Sequence, residues 1–234
     1  MVLTPGARGF IRRVPGQARS ITLTVLPECL PLCNANYQAM PNQTTKPTKK
    51  PGGWSKVRSH LATLDKPALL ALVKDLYEAA AENRDFIQAH CHGGDQDVET
   101  GGEILENYRR KIVEQFFPAR GEGKLKLGEA RKAIRNYRKA TGNVRGTAEL
   151  LMTYVENGAE FTHEYGDIDE RFYSSVESAL NELAALLLRE APGMYPQFIE
   201  RLARVEQLAG DIGWGFGDYV GEVVVQLEDE LGDQ

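Results

Sequence analysis

Side chains that could hold a metal ion cluster at His90, Cys91 and His92. Ligands of a zinc site are usually separated by about two to four residues, whereas these three are adjacent and would point in different directions on a helix. Cys29 and Cys33 could complete a ligand set, but they lie in a distant, proline-rich segment. The sequence therefore favours a helix end with a buried Cys91 and two exposed histidines, and it predicts no metal and no other cofactor.

A second group has the residue types of an acid–base catalyst: His163 and Glu164, followed by Asp167, Asp169 and Glu170. A general base needs a positioned partner and a pocket, and the spacing of these residues indicates neither. Asp167 or Asp169 is more simply the N-cap of the next helix, whose positive end the neighbouring acids would stabilise. We predict no catalytic residue, and an enzyme with an acidic site near His163 stays open as an alternative.

Two glycine-rich stretches raise the question of nucleotide binding. The run GEGK at residues 121–124 is not a P-loop, because Pro118 stands where that motif needs a glycine and Leu125 where it needs Ser or Thr. The later stretch GDIGWGFGDYVG does not follow a strand, and its glycines recur every four residues, which is typical of a helix end packed against a neighbour. Trp214 and Phe216 either pack there, which we favour, or form a hot spot for a partner.

Positive charge is concentrated in GKLKLGEARKAIRNYRKATG, residues 123–142, which has seven Lys/Arg and one Glu in a chain of net charge −5. Residues 105–145 hold 12 Lys/Arg and 4 Asp/Glu, a net charge of +8. Residues 146–234 hold 4 Lys/Arg and 19 Asp/Glu, a net charge of −15. The small net charge of the whole chain is therefore the sum of a strongly basic segment and a strongly acidic one.

The helical period places five of these cations on one side of a single helix. With Leu127 at 0° and a step of about 100° per residue, Ala130, Ile134 and Tyr137 form a stripe between about 280° and 340° that is predicted to be buried. Between about 20° and 140° lie the residues that we call the basic flank: Arg138, Arg131, Arg135, Lys139 and Lys132. Like charges at this spacing weaken a helix by a few tenths of a kcal/mol per pair, so a negative partner is expected.

Three partners could offset this repulsion: the acidic C-terminal third of the same chain, an acidic protein, or the phosphates of a nucleic acid. We favour the first, because the neutralising charge is present in the chain itself. Nucleic acid is disfavoured by the pI of about 5.5 and by the lack of aromatic residues interleaved with the cations.

The chain begins with a proline-rich segment, residues 1–53, that has no helical period. We predict that it is a disordered tail or a mis-assigned start of translation, with Met40 as the alternative first residue. Residues 54–234 are predicted to form a single all-helical domain. No apolar run is long enough to span a membrane, and three cysteines are too few for a disulfide framework, so we expect a cytoplasmic protein.

The predicted fold is all-α, with about nine helices in stacked helical pairs or an irregular bundle; a degenerate helical-repeat solenoid stays open. The acidic stretch 93–102 is predicted to be a loop, and Asp65 is predicted to cap a helix that has Pro67 in its first turn. The predicted helices span residues 54–64, 66–83, 83–91, 103–117, 126–141, 143–161, about 169–190, 194–212 and about 218–231.

The runs ILENYRRKIVEQFFP and GKLKLGEARKAIRNYRKATG, with the later GWGFGDYV, resemble an uncharacterised bacterial family of helical proteins. LDKPALLALVKDLYEAAAENRDFIQA is similar to the opening helices of that family, so the resemblance covers roughly residues 54–230. The family is a domain of unknown function, and no activity or site residue carries over from it. The resemblance implies a bacterial, soluble, all-helical protein.

The sequence favours a non-enzymatic binding protein that engages a protein partner, or itself, through complementary basic and acidic faces. A nucleic-acid-binding protein that uses the basic 124–139 segment is the alternative, ahead of an enzyme. The predicted partner-binding residues are Lys124, Lys126, Arg131, Lys132, Arg135, Arg138, Lys139, Trp214 and Phe216.

Overall fold

The computed structural model describes residues 53–92, 98–210, 212 and 215–232. The chain divides into two units, Met1–Gly53 and Trp54–Gln234, and the described residues other than Gly53 belong to the second. The tail predicted over residues 1–53 lies outside the described residues apart from Gly53. The same holds for Trp214 and for residues 93–97 of the predicted acidic loop.

Helices account for most of the described residues, and no strand occurs among them, which confirms the predicted all-α fold. The helices in these ranges are α1 Gly53–Leu61, α2 Lys66–Ala79, α3 Ala81–His92, α4 Val98–Phe116, α5 Leu127–Thr141, α6 Val144–Tyr165, α7 Glu170–Arg189, a 3₁₀ helix Pro192–Gln197, α8 Ile199–Ala209 and α9 Phe216–Leu231. None of these helices is both long enough and apolar enough to cross a bilayer.

Local signals set several helix ends where the sequence predicts them. The carboxylate of Asp65 accepts a hydrogen bond of 2.9 Å from the backbone N–H three residues later, and Pro67 lies in the first turn of α2. Asp169 caps α7 by accepting from the Phe172 N–H at 2.8 Å. Gly142 ends α5 with φ of 63°, a left-handed conformation that favours glycine.

Several helix boundaries differ from the prediction, and the two largest differences are at residues 98–102 and 194–212. Residues 98–102, predicted as part of the acidic loop, are helical because α4 begins at Val98; the glycine pair in this turn lowers helix propensity and masks the helix in the sequence. The single helix predicted over 194–212 is divided. Pro196 lies in the 3₁₀ helix and α8 starts at Ile199, because proline lacks the N–H that continues an α-helix.

α6 is the central helix of an irregular bundle. It packs against α4, α5, α7 and α8, and its buried residues run from Gly146 to Thr162 on most of its sides, as expected of a helix enclosed by others. α9 closes the bundle against α7 and α8, whereas α3 packs on α4 and α5. α2 packs on α3 at the edge of the bundle and contributes no fully buried residue.

Candidate functional site

The predicted apolar stripe of α5 fixes the direction of the basic flank. Ala130, Ile134 and Tyr137 are buried, as predicted. The Tyr137 ring meets that of Tyr108 in α4 edge-on, with centroids 5.4 Å apart. The basic flank lies beside this stripe, with Arg131 and Lys132 half-buried and the other three cations exposed.

One edge of the basic flank faces α7. Arg131 donates a hydrogen bond to Glu182 of α7, and Arg138 donates one of 2.7 Å to Glu190, the residue that follows this helix. The Arg131 side chain is only 13% exposed, so this ion pair is partly desolvated. The arginines at about 20° and 40° on α5 thus bind the acidic C-terminal third.

The other edge of the basic flank faces α3. The ammonium of Lys132 lies 2.8 Å from a carboxylate oxygen of Glu82, and that of Lys139 lies 6.0 Å from the centroid of the Phe86 ring. Arg135, between the two edges, forms no ion pair within the described ranges. Three of the five flank cations are therefore paired with carboxylates of their own chain.

The loop between α4 and α5 carries the two predicted site residues that precede α5. A Cβ on Gly123 would collide with the carbonyl oxygen of Phe116, so only glycine allows the loop to pass this close to the end of α4. Leu125 has φ of 45°, a left-handed conformation that costs about 1–2 kcal/mol, and its N–H donates to the Gln115 carbonyl at 2.8 Å. This strained turn directs Leu125 toward the core and places Lys124 and Lys126 on either side of it.

Lys124 and Lys126 line a cleft of about 390 Å³ between α3, α4 and α5. Lys132 lines it as well, and its proximity to Glu82, through a hydrogen bond and through charge, raises the pKa of its ammonium. The cleft is lined by Glu82, Tyr108, Lys111, Gln115, Lys124, Lys126, Glu129, Lys132, Ala133 and Asn136. Four lysines and two glutamates give it a net positive charge.

α1 and α2 expose apolar side chains, a set that we call the α1–α2 surface. Its members are between 37% and 68% exposed: Trp54, Val57, Leu70, Leu72, Val73 and Leu76. The last three belong to one stripe of α2 by helical spacing. The ionisable side chains of α1 are all basic: Lys56, Arg58 and His60.

α9 exposes an apolar side chain that is surrounded by acidic residues. Val225 is 54% exposed, and helical spacing places Asp218, Glu222, Glu228 and Asp229 around it. All four carboxylates are exposed, and none forms an ion pair with another described residue. We call this set, with Val225, the α9 surface.

His90, Cys91 and His92 form the end of α3. Cys91 is exposed, so the prediction that it is buried is wrong; Ala89 takes the inward position of α3 instead. His90 lies 3.0 Å from the Ala140 carbonyl oxygen, which ties the end of α3 to α5. No group of three or more metal-type ligands occurs in the described part of the chain.

Two of the acidic residues that follow α6 form hydrogen bonds that stabilise the start of α7. His163 and Glu164 are exposed at the end of α6. Asp169 is the N-cap of α7, and Asp167 accepts a hydrogen bond of 3.0 Å from the Tyr173 hydroxyl. These contacts agree with the capping interpretation.

Phe216 lies in the core. It is fully buried, with its ring centroid 5.5 Å from that of Tyr173, which agrees with the packing interpretation and removes this side chain from the partner-binding set. A Cβ on Gly217 would lie 2.5 Å from the Ala209 carbonyl oxygen, so α9 starts in close contact with the end of α8, as the glycine spacing predicts.

No protein-family model, curated protein or solved structure matches this chain. The resemblance to an uncharacterised bacterial helical family therefore stays an expectation.

Proposed function

We propose that the protein is a non-enzymatic helical binding protein whose partner is a second copy of itself. The α1–α2 surface of one copy would bind the α9 surface of the next. The observation that carries this proposal is the exposed apolar stripe of α2, because contiguous exposed apolar residues mark sites of protein association in soluble proteins.

Charge complementarity supports a second copy as the partner. α1 has three basic side chains and no acidic one, whereas the exposed Val225 lies among four carboxylates. The ionisable side chains of α1 are basic and those around Val225 are acidic, whereas α2 carries both signs. Such a contact joins two different patches, so it would produce a ring or an open chain of copies rather than an isologous dimer.

The internal pairing of the basic flank changes the predicted interface. Arg131, Lys132 and Arg138 already bind carboxylates, so they contribute little to an interface with another protein. The same pairing lowers the number of cations available to phosphates and disfavours the nucleic-acid alternative. The few cysteines support a reducing, cytoplasmic location.

Sedimentation velocity of the full chain between about 1 and 200 µM tests the proposal. The wild type is expected to form larger species as its concentration rises, and to dissociate in high salt. Val73→Glu, on the apolar stripe, should give a monomer. Ala71→Glu, on the exposed opposite side of the same helix, should associate like the wild type.

A mixing experiment tests the head-to-tail geometry. Val225→Lys places a cation among the acids of the α9 surface and should also give a monomer. Mixed in equal amounts, the Val73→Glu and Val225→Lys variants should form a 1:1 dimer, because each keeps one intact surface. A wild type that stays monomeric at all concentrations would overturn the proposal.

A further inference from the structure

The cleft between α3, α4 and α5 is lined by Tyr108, a largely buried residue whose hydroxyl is available to a ligand. Tyr108 is 2% exposed and lines the cleft, yet its hydroxyl forms no hydrogen bond with any residue that the structure describes. Burial, reinforced by the nearby charge of Asp85, raises the pKa of Tyr108 to about 12. The hydroxyl therefore keeps its proton at neutral pH and is available as a donor to a ligand.

Two amides in the lining are also short of partners. The Oε1 atom of Gln115 is buried without a hydrogen bond, whereas its Nε2 makes only a long one of 3.4 Å to the Lys111 carbonyl. The side chain of Asn136 forms no hydrogen bond within the described ranges. Buried polar atoms without a partner are rare, so the Gln115 oxygen is an acceptor available to a ligand in the cleft.

The charge in the cleft is not fully compensated. Lys111 pairs with Asp85, and Lys132 lies between Glu82 and Glu129, at 2.8 and 3.9 Å. Lys124 and Lys126 have no carboxylate within 4.0 Å among the described side chains. The lysine ammonium is a compact charge with three donors and suits phosphate oxygens.

The backbone that presents these two lysines is strained. Leu125, between them, keeps its left-handed conformation through its own packing on the core and its hydrogen bond to the Gln115 carbonyl. Strain of this kind persists where a binding loop is held in a fixed arrangement. The same turn thus positions Lys124 and Lys126. Its hydrogen bond holds it to Gln115, whose side-chain oxygen has no partner.

We infer that this cleft binds a small phosphate monoester that also carries hydroxyl groups. Lys124, Lys126 and the Tyr108 hydroxyl would bind the phosphate, and a ligand hydroxyl would donate to Gln115. The volume of about 390 Å³ lies in the range of small-molecule sites, about 300–1,000 Å³, and exceeds what a phosphate ion needs. The site stands independently of the α1–α2 and α9 surfaces, which share none of its lining residues.

Isothermal titration calorimetry of the full chain tests the inference with three probes: glucose 6-phosphate, inorganic phosphate and glucose. Glucose 6-phosphate is expected to bind more tightly than inorganic phosphate, and glucose not measurably. The double variant Lys124→Ala/Lys126→Ala should raise the Kd for glucose 6-phosphate at least about tenfold. Tyr108→Phe, which keeps the ring packing, should raise it about three- to tenfold.

Arg135→Ala is the matched control, because it removes one exposed, unpaired cation of α5 that lies outside the cleft. Its Kd should stay within about twofold of wild type. If Arg135→Ala raised the Kd for glucose 6-phosphate as much as Lys124→Ala/Lys126→Ala, the binding would reflect non-specific attraction to positive charge, and the proposed site would be overturned. No binding of glucose 6-phosphate by the wild type would overturn it too, and equal affinity for inorganic phosphate would overturn the choice of an ester.

Discussion

Arg131 of α5 binds Glu182 of α7, and this contact joins the most basic helix to the acidic C-terminal third. The guanidinium also lies 5.6 Å from the centroid of the Tyr154 ring, which is fully buried. Arg131→Glu places two carboxylates together at a partly desolvated position. We expect it to lower the free energy of unfolding by about 1–3 kcal/mol, measured by urea denaturation.

Arg135→Glu provides the comparison, because the same charge reversal occurs four residues later at an exposed position without an ion pair. It should change the free energy of unfolding by less than about 0.5 kcal/mol. Adding Glu182→Arg to Arg131→Glu should restore part of the lost stability. Equal effects of the two single variants would show that the total charge of the flank matters rather than its pairing.

α6 and α7 approach closely at Gly158. A Cβ there would lie 2.6 Å from a methyl carbon of Val176, a fully buried β-branched residue whose side chain cannot rotate freely in a helix. Gly158→Ala should therefore lower the free energy of unfolding by about 1–3 kcal/mol. Gly128→Ala should raise it by a few tenths of a kcal/mol, because a Cβ at this exposed helical position meets nothing within 4 Å. Thermal unfolding measures the stability of both variants. A Gly128→Ala variant less stable than the wild type would contradict the prediction.

The sequence predicts those helix ends and buried helix sides that depend on nearby residues and on the helical period. The cap at Asp65, the end of α5 at Gly142 and the buried side of α5 follow from residues within a few positions of each other. The division of the basic flank between α7 and α3 was not predictable in this way. Glu182 and Glu82 lie about 50 residues from their partners in the chain, and only tertiary packing brings them to α5.

The candidate cleft was only partly visible in the sequence. Lys124, Lys126 and Lys132 were expected at a binding surface, but nothing in their spacing places them opposite Tyr108. The one available signal is Gln115, a polar residue that follows the inward-facing residues of α4 at helical spacing. The exposure of Cys91 was mispredicted, because which side of α3 faces inward depends on its contact with α5.

Alkaline pH should destabilise the protein through its buried tyrosines. Burial raises the pKa of Tyr108, Tyr137, Tyr154, Tyr173, Tyr195 and Tyr219. These hydroxyls hold their protons more tightly in the folded state than in the unfolded chain, where they titrate near pH 10. The stabilisation is therefore complete below about pH 9 and is lost as the pH rises from about 10 toward about 12.

Urea denaturation at a series of pH values measures this loss, and Tyr108→Phe separates it from the titration of lysines. The variant should lose less stability than the wild type between about pH 9 and 11, because one of the shifted groups is absent. Identical slopes for the two proteins would contradict the assignment of the effect to Tyr108.

Arg201 joins α8 to α6 through a planar fork. Its Nε and one terminal nitrogen donate to the two oxygens of Glu156, and the other terminal nitrogen donates to Glu149, each at 2.7 Å. These hydrogen bonds raise the pKa of the guanidinium, foremost those to Glu156. Lysine keeps the charge but cannot make two parallel bonds to one carboxylate, so Arg201→Lys should lower the free energy of unfolding by about 1–2 kcal/mol.

Arg204 is the matched control on the same helix. It is largely exposed, and its guanidinium lies 3.8 Å from a carboxylate oxygen of Glu160, a distance at which charge alone acts and solvent screens it. Arg204→Lys should therefore leave the free energy of unfolding within about 0.3 kcal/mol of the wild type, again by urea denaturation. Because both substitutions keep the charge, a loss confined to Arg201→Lys assigns it to the geometry of the fork. Equal small effects would mean that charge alone holds α8 against α6.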